Sequence, residues 1–331
     1  MFLCALCISE EISHLGKVDQ NSIPQQCLLE LLVKDITIKN KFFDESGDYV
    51  EIAKWKGVKM DNHRQVTVIQ WNPFINNRYI CEGGTIDSGF IPASVTTFDV
   101  GNCKLHGSFD FTNLPPMLRK LNVSSNFFSG TVDLTYPLQI EEVDVSSCRF
   151  VGTLKLGNTA PRLRVIHAQS NQFEQLHVQN HLSSSFSSLN MNNNQYTGQF
   201  PFRHMVDTVE RLILEFNSIT GTLDLRKLPL ALTHLNVGTN FFSGTVDFTN
   251  LPSGLVELII RRNNLSGTIT LTPLPPHLFD IDLSENAFSG IAILGQLPHT
   301  LKRVDMRKNS IQKVLSDDGQ PYLFYDSIVL Q

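Results

Sequence analysis

The sequence predicts one elongated solenoid, in which a short β-strand and its return path repeat along a right-handed coil. Three observations indicate this. An apolar frame returns ten times at a spacing of 22 or 23 residues. Phenylalanine is abundant, with 22 copies, and charged residues make up only 18% of the 331 residues. The net charge of -5 argues against a nucleic-acid binder that works through a broad basic surface.

The ten repeats occupy residues 95–315. They begin at Val95, Leu118, Ile140, Leu163, Phe186, Val209, Leu232, Leu255, Leu278 and Leu301. Within each repeat, positions 4 and 6 are apolar and alternate with polar positions 3, 5 and 7, which is typical of a short half-buried strand. Stacked parallel strands bury this apolar face against positions 11, 15 and 17 of the return path, where Phe, Leu and Ile recur.

Position 9 is predicted to be a structural residue in every repeat. It is occupied by Cys103, Asn126, Cys148, Asn171, Asn194, Asn217, Asn240, Asn263, Asn286 and Asn309. An amide can satisfy backbone groups where the chain turns out of the strand, and cysteine can take the site as a small buried group. Position 13 is glycine in eight of the ten repeats, which predicts a turn with positive φ or a close backbone approach.

The frame L-x-x-L-x-L-x-x-[NC]-x-[LF] resembles that of leucine-rich-repeat proteins. The segment that follows it, as in residues 243–252 (SGTVDFTNLP), is similar to the plant and protist branch with L-x-G-x-[IL]-P units. This resemblance implies an α/β-type leucine-rich-repeat solenoid. Its curved right-handed coil would carry a parallel β-sheet on the concave face and short irregular, 3-10 or β segments on the convex side.

Caps are expected at both ends, because a terminal repeat would otherwise expose an apolar face. Residues 1–94 are predicted as the amino-terminal cap, with a helix at about 24–34, the segment Trp55-Lys-Gly-Val58 and a first strand at about 66–71. This order resembles the plant-type cap, which usually carries a cysteine pair. No cysteine stands beside Trp55, so Cys27 with Cys81 is the candidate substitute. Residues 316–331 are predicted as the carboxy-terminal cap, with 322–325 covering the last coil.

No run of 18 apolar residues occurs, so no membrane-spanning helix is predicted. The apolar start, residues 1–8, resembles a signal-peptide core without its basic leader. A truncated gene start and a buried terminal segment are the alternatives, so secreted, cell-surface and cytoplasmic locations all stay open. Asn122 and Asn264 stand in N-x-[ST] sequons. Asn264 is the expected acceptor if the protein is secreted, because a glycan on Asn122 would block the sheet.

No catalytic motif is present, and we expect no enzyme activity, metal or cofactor. Cys4 and Cys7 form a lone C-x-x-C inside an apolar run, without the second pair that a zinc site needs. Five histidines fall within three to four repeats: His167, His177, His181, His204 and His234. We interpret these histidines as exposed polar positions on the solenoid, and a metal site is the alternative.

The solvent side of the strands, at positions 3, 5, 7, 8 and 10, is the predicted partner-binding surface. The candidate residues are His167, Gln169, Asn190, Asn192, Arg211, Ile213, Glu215, Phe216, His234, Ile259, Arg261, Asp282, Arg303 and Arg307. Phe216, with Ile213 and Ile259 beside arginines, has the composition of an interface anchor. The alternative is that Phe216 folds back onto its neighbours. Phe127 and Phe241, both at position 10, would extend the patch.

The sequence therefore predicts a monomeric, non-enzymatic module that binds a protein partner through the concave face of the sheet. The alternative is a secreted or cell-surface, receptor-like protein that recognises a glycan or a peptide. Fold does not dictate function, so the ligand rests on analogy at this point.

Overall fold

The computed structural model describes residues 22–76, 79–321 and 328–329. The chain divides into two compact units, Met1–His167 and Ala168–Gln331. Both units are built from the same element, a coil of 22 or 23 residues that contributes short strands to parallel sheets.

The part of the first unit that precedes the repeats contains two α-helices among its described residues. Helix α1 (Gln25–Val33) is followed by β1 (Ile36–Ile38), which pairs antiparallel with β4 (Glu82–Gly84). Strand β2 (Val58–Met60) pairs antiparallel with β3 (Val66–Gln70), and the short α2 spans Pro73–Asn76. Strand β3 in turn pairs parallel with the first strand of the repeats, so the cap supplies the edge on which the coils stack.

The core of the cap is aromatic. Trp55 is buried, stacks on Phe42 with ring centroids 4.4 Å apart, and donates its indole N–H to the carbonyl of Val50 at 2.8 Å. Gly57 lies at φ 77, and a Cβ there would stand 2.1 Å from the carbonyl oxygen of Gln70. Only glycine fits this approach, which explains the glycine after Trp55.

Two rows of parallel strands form the repeats of the first unit. The first row contains β5 (Thr97–Asp99), β7 (Lys120–Asn122), β10 (Glu142–Asp144) and β12 (Val165–His167). The second row contains β6 (His106–Ser108), β8 (Phe127–Gly130) and β11 (Arg149–Gly157), with β9 (Asp133–Leu134) also pairing β11. A 3-10 turn at Ser88–Phe90 lies on the return path before β5.

The second unit repeats this arrangement. Its first row contains β14 (Ser188–Asn190), β16 (Arg211–Ile213), β18 (His234–Asn236), β20 (Glu257–Ile259), β23 (Asp280–Asp282), β25 (Arg303–Asp305) and β27 (Ile328–Val329). Its other strands are β13 (Gln172–Gln179), β15 (Thr197–Gln199), β17 (Ser218–Thr222), β19 (Phe241–Thr245), β21 (Asn264–Gly267), β22 (Thr270–Leu271), β24 (Ala287–Leu294) and β26 (Ser310–Ser316). In this unit the second row runs in the order β15, β17, β19, β21, β24, and β22 and β26 also pair with β24. Two 3-10 turns, Phe202–His204 and Leu225–Lys227, lie on the return paths.

The core lies between the two rows. In the coil that starts at Val209, Leu212 and Leu214 of the first row and Ile219, Leu223 and Leu225 of the return path are all no more than 2% exposed. Position 11 is buried in nine coils and half-buried in the tenth, at Ile311. Burial of this repeated apolar face is the main stabilising contribution to the coil.

The position 13 glycines do have positive φ, from 71° at Gly152 to 102° at Gly130. They lie within or at the ends of second-row strands, however, and not in a turn. The glycine changes the direction of an extended segment and lets the position 15 side chain point back into the core. Sequence reasoning identified the unusual backbone but assigned it to the wrong element.

The structure describes residues 316–321 and 328–329 of the expected carboxy-terminal cap. Strand β27 pairs parallel with β25, with Val304 opposite Ile328, and extends the first row by one strand. The tyrosine-rich segment 322–325, which we expected to cover this coil, lies outside the described residues.

Candidate functional site

The position 9 asparagines hold neighbouring coils together. Asn217 donates its amide N–H to the carbonyls of Met191 and Leu214, both at 2.9 Å, and to that of Glu215 at 3.3 Å. Its amide oxygen accepts the backbone N–H of Tyr196 at 3.1 Å. Asn126, Asn194, Asn240, Asn263, Asn286 and Asn309 likewise satisfy backbone groups of their own coil and of the preceding one, which fixes the turn after the first-row strand.

The residue just before this asparagine, at position 8, has a left-handed backbone in every coil. We call these residues the turn row. Their φ values lie between 51° and 56°: Asn102, Ser125, Ser147, Ser170, Asn193, Phe216, Thr239, Arg262, Glu285 and Lys308. In eight of the ten, all but Ser147 and Lys308, the N–H group donates to the position 7 carbonyl of the next coil, as from Thr239 to Arg261 at 2.8 Å. The coil-to-coil hydrogen bonds therefore impose the left-handed conformation whichever residue occupies it.

Phe216 is the aromatic member of the turn row. A left-handed backbone costs a non-glycine residue about 1–2 kcal/mol, and large side chains there are uncommon. Phe216 nevertheless adopts φ 56° and stays 46% exposed. Its side chain lies outside the buried core, and about half of it is open to solvent. Phe241, one coil further on at position 10, is 53% exposed.

The solvent side of the first-row strands, at positions 3, 5 and 7, is named the strand face. On the strand face of the second unit, Arg261 reaches over Gly238 to Glu215, two coils away. Its Nη2 and Nε lie 2.6 and 3.1 Å from Glu215 Oε1, and Asn236 donates to Oε2 at 3.0 Å. A Cβ on Gly238 would stand 3.1 Å from Arg261 Cγ and 3.3 Å from Glu215 Oε1. Glycine at this position therefore leaves room for the arginine.

A second group of ion pairs follows along the same face. Arg303 bonds Asp280 at 2.9 and 3.1 Å and Asp282 at 3.1 Å. Arg307 bonds Asp305 through Nε and Nη2, with a shortest distance of 2.5 Å. Asp282 and Asp305 are only 2% and 1% exposed, so each buried carboxylate has an arginine partner. Both arginines were predicted as partner-binding residues, and within the chain they pair with these aspartates.

Arg211 and His234 stand next to one another on β16 and β18. Arg211 Nη1 lies 3.5 Å from His234 Nδ1, and the hydroxyl of Thr233 lies 2.8 Å from the same nitrogen. Burial, with a smaller contribution from the charge of Arg211, lowers the pKa of His234 from its ordinary value. His234 is therefore held in its neutral form at neutral pH.

The remaining predicted residues of the second unit are spread over the strand face. Asn190 accepts the backbone N–H of Asn192 at 3.1 Å, and the Oε1 of the half-buried Gln169 is inaccessible to solvent and has no hydrogen-bond partner. Ile259 is 7% exposed and Ile213 is half-buried. The apolar contribution to the surface therefore comes from Phe216, and the two isoleucines contribute little.

The strand face of the first unit carries a depression of about 470 Å³ with a mixed polar and apolar lining. Its lining includes Asp99, Lys120, Glu142 and His167, and Lys120 pairs with Glu142 at 2.9 Å. Asp99 is 6% exposed, and its burial raises the pKa of the carboxyl in spite of hydrogen bonds from Gly101 and three amide side chains. Outside this depression, Phe127 lies under the Arg149 guanidinium, whose carbon is 4.9 Å from the ring centre.

Among the described residues, no group of three or more His, Cys, Asp or Glu side chains is placed to hold a metal ion. The five histidines named in the sequence analysis therefore do not form such a group. In the described segments no helix combines the length and apolarity needed to cross a bilayer. Asn264 is exposed at the start of β21, whereas Asn122 is half-buried and accepts hydrogen bonds from Ser124. Cys4 and Cys7 lie outside the described residues.

The cysteine expected to pair with Cys27 has a different neighbour. The Cys103 side chain is the first cause that raises the pKa of the Cys81 thiol, and no disulfide joins Cys27 to Cys81. Sequence reasoning missed this contact because Cys103 already had a role as the position 9 residue of the first repeat. It also missed the turn row, in which only Asn102 and Asn193 are of a residue type enriched in left-handed backbone.

No protein-family model matches the chain, and no curated protein matches it either. Solved structures do match. A plant ice-binding protein superposes with a TM-score of 0.63 at 18% identity, over 90% of this chain and 97% of that one. The PEPR1-AtPEP1 structure gives 0.56 at 14% identity and covers 92% of this chain, which spans about half, 51%, of the matched chain. A chain of the octameric complex of Latrophilin 3, Unc5D and FLRT2 (LRR) gives 0.51 at 20% identity, over 83% and 91%.

These identities are low, so the likeness concerns the fold. It agrees with the other observations: parallel strands at a spacing of 22 or 23 residues, a buried or half-buried Asn or Cys at position 9, and few helices in the described residues. The chain therefore has the leucine-rich-repeat fold, a solenoid of parallel β coils.

Proposed function

We propose that the chain is a non-enzymatic module that binds a segment of a partner protein on the strand face and turn row of its second unit. One observation carries the proposal: Phe216 is exposed although its backbone is left-handed. The core does not need this aromatic ring. The left-handed backbone is common to all ten members of the turn row, so the exposed aromatic side chain is what distinguishes Phe216 from the other nine.

The surroundings of Phe216 define the chemistry of the partner. Arg261 is occupied by Glu215, but Arg262, on the same turn row, is exposed and has no carboxylate within ion-pairing distance among the described residues. An aromatic ring and an arginine are the residue types that dominate binding energy at interfaces. The proposed partner segment places an apolar side chain on Phe216 and a carboxylate at Arg262.

The ion pairs beside this site make it rigid before the partner arrives. Because Arg261 spans from its own coil to Glu215 two coils away, it fixes the spacing of the coils under Phe216. A surface that is already ordered loses less entropy on binding. The occurrence of this fold in an octameric protein complex with FLRT2 (LRR) supports a protein partner by analogy alone.

The test uses a phage-displayed linear peptide library panned on the purified chain. Phe216→Gly removes the ring and relieves the left-handed backbone, so the variant should fold at least as stably as the wild type. Thr239→Gly makes the same backbone change one coil away and serves as the control. We expect enriched peptides with an apolar and an acidic residue, which bind the wild type and Thr239→Gly and lose at least tenfold affinity for Phe216→Gly. Equal binding to both variants would contradict the proposal.

The same measurement separates the partner classes. A glycan-array screen with the same three proteins examines receptor-like recognition of a carbohydrate. If a glycan binds and no peptide does, the protein-binding proposal is wrong. We also propose that the module is a monomer, which analytical ultracentrifugation of the purified chain checks directly.

A second candidate function is ice binding, and the second row of the second unit favours it. Within each second-row strand, the glycine at position 13 has no side chain. The hydroxyl-bearing residues before and after it therefore stand out as two columns, in which neighbouring strands are about 4.8 Å apart. The residues are Thr197, Thr220, Ser243, Ser266 and Ser289 at position 12, and Thr222, Thr245 and Thr268 at position 14. All but the half-buried Ser266 are exposed. A regular array of hydroxyl groups on a rigid sheet can anchor ordered water, and the plant ice-binding protein noted above shares the fold.

Ice recrystallisation measured in the presence of the purified chain tests this candidate. The double variant Thr222→Lys, Thr245→Lys should abolish any inhibition of crystal growth, because two long charged side chains interrupt the columns. The double variant Ser170→Lys, Thr239→Lys adds the same charge on the turn row and should retain the inhibition. If ice crystals grow as fast with the wild type as in buffer alone, ice binding is excluded.

A further inference from the structure

Two buried thiols meet where the amino-terminal cap joins the first repeat. Cys81 and Cys103 are both 0% exposed, and the neighbouring Cys103 thiol, with burial, raises the pKa of the Cys81 thiol. Their backbones are also tied together, because the N–H of Gly83 donates to the carbonyl of Cys103 at 2.8 Å. The 22-residue separation in sequence places one cysteine before the first-row strand β5 and the other directly after it.

The surroundings hold the Cys103 thiol in place. Its sulfur lies 3.6 Å from the carbonyls of Trp71 and Gly101, and its N–H donates to the side chain of Asn126 at 3.1 Å. Cys148 occupies the same repeat position two coils later, with its sulfur 3.3 Å from the Val123 carbonyl. A thiol at position 9 thus serves the coil in both places, but only Cys103 has a second cysteine against it among the described residues.

We propose that Cys81 and Cys103 are a disulfide-forming pair that covalently joins the cap to the first repeat when the chain folds in the presence of a small-molecule disulfide. The Cys81 thiolate attacks the oxidant disulfide, forms a mixed disulfide and releases one small thiol. The Cys103 thiolate then attacks the Cys81 sulfur and releases the second. Two electrons pass from the cysteines to the oxidant, and the two thiol protons leave with the two small thiols.

The burial of the pair sets when this bond forms. The neighbouring Cys103 thiol and burial both raise the pKa of the Cys81 thiol, so little thiolate is present once the coil has closed. Oxidation therefore takes place while the chain folds, and the finished bond is protected from reductants in the same way. The bond stabilises the protein mainly by restricting the unfolded chain.

The test refolds the reduced, denatured chain with oxidised and reduced glutathione, and in parallel with dithiothreitol. Free thiols are then alkylated in denaturant, and the protein is digested with trypsin. The sequence has no Lys or Arg between Arg78 and Lys104, so both cysteines fall in one peptide, 79–104. We expect this peptide to resist alkylation after refolding with glutathione and to be lighter by two hydrogen atoms. The oxidised protein should also melt at a higher temperature than the reduced one.

Three variants complete the experiment. Cys103→Ser and Cys81→Ser should each leave the remaining thiol of peptide 79–104 open to alkylation and remove the difference in melting temperature. Cys148→Ser loses a thiol at the same repeat position and should keep both effects. Full alkylation of Cys81 and Cys103 in the wild type refolded with glutathione would overturn the proposal. A cross-link between peptide 79–104 and the peptide that contains Cys27 would overturn it as well.

Discussion

At the scale of the residue, the chain depends on polar side chains that act on backbone groups. Position 9 places an amide where four backbone groups of two coils need partners, as at Asn217. Because these groups are buried, they would have no water to replace the side chain. One residue in each coil thus secures the turn and the attachment to the preceding coil.

Asn217→Ala is expected to destabilise the protein by about 1–3 kcal/mol, because it leaves buried backbone groups unpaired. Chemical denaturation followed by circular dichroism measures the change. Asn264→Ala removes an amide that is exposed at the start of a strand and should change the stability little. If both variants unfold at the same denaturant concentration, the bonding assigned to position 9 is not what stabilises the coil.

His234 gives the protein a pH dependence with a definite sign. Its pKa in the folded state is lowered below 6.5, so the unfolded chain takes up the proton more readily. Stability from this group is present above pH 6.5 and is lost as the pH falls towards the folded-state pKa. As the pH is lowered from about 7.5 to about 5.5, the melting temperature of His234→Gln should therefore fall less than that of the wild type. The exposed His63→Gln is the control, and an identical pH profile for His234→Gln would contradict this assignment.

The sequence indicated the composition of the strand face but not its bonding. Arg261 and Glu215 are 46 residues apart in the sequence. Their contact passes over Gly238, which lies between them only in the folded coil. Phe216 was identifiable because the other nine repeats carry a small or polar residue at the same position. Its left-handed backbone was not, since the frame records residue types and not dihedral angles.

At the scale of the element, the repeat frame was a sufficient guide to the first row of strands. Polar and apolar residues alternate there with period two, and the strands lie at positions 3 to 5 of the coils. The second row was less visible, because Ser-Gly-Thr resembles a turn. Coil-to-coil hydrogen bonds override that local preference and extend the segment, so propensity alone assigned the glycine to the wrong element.

Gly244→Ala tests the backbone of the second row. Gly244 lies in β19 at φ 85°, where an alanine is strained, and we expect a loss of about 1–2 kcal/mol. Gly254→Ala is the matched control, because Gly254 has no positive φ and its Cβ would meet nothing within 4 Å. Thermal melts of the two variants should differ clearly. A Gly244→Ala variant as stable as Gly254→Ala would show that the strand does not need the left-handed glycine.

At the scale of the whole molecule, stability is local. The strand pairings join coils that are neighbours along the chain, and the position 9 amides reach only the preceding coil. In such an array, stability is a sum of coil contributions and of contacts between neighbouring coils. The repeat length was readable from the sequence, and this organisation follows from it directly.

A lesion in one coil should therefore spread only to its neighbours. Hydrogen–deuterium exchange of Asn217→Ala is expected to speed up in peptides from about 191–240 and to stay unchanged in peptides from 22–76. The wild type is the reference for each peptide. Faster exchange throughout the described chain would mean that the array unfolds as one cooperative body.

The turn row has a further consequence for how such a molecule can diversify. Its ten members share a narrow range of φ while their side chains range from serine to phenylalanine, arginine and glutamate. The backbone cost of each site is already met by the hydrogen bonds of the next coil, so exchanging one of these side chains alters the surface and spares the scaffold. A library randomised at these positions alone would sample new specificities on an unchanged frame, in the way that variable loops do on an antibody domain.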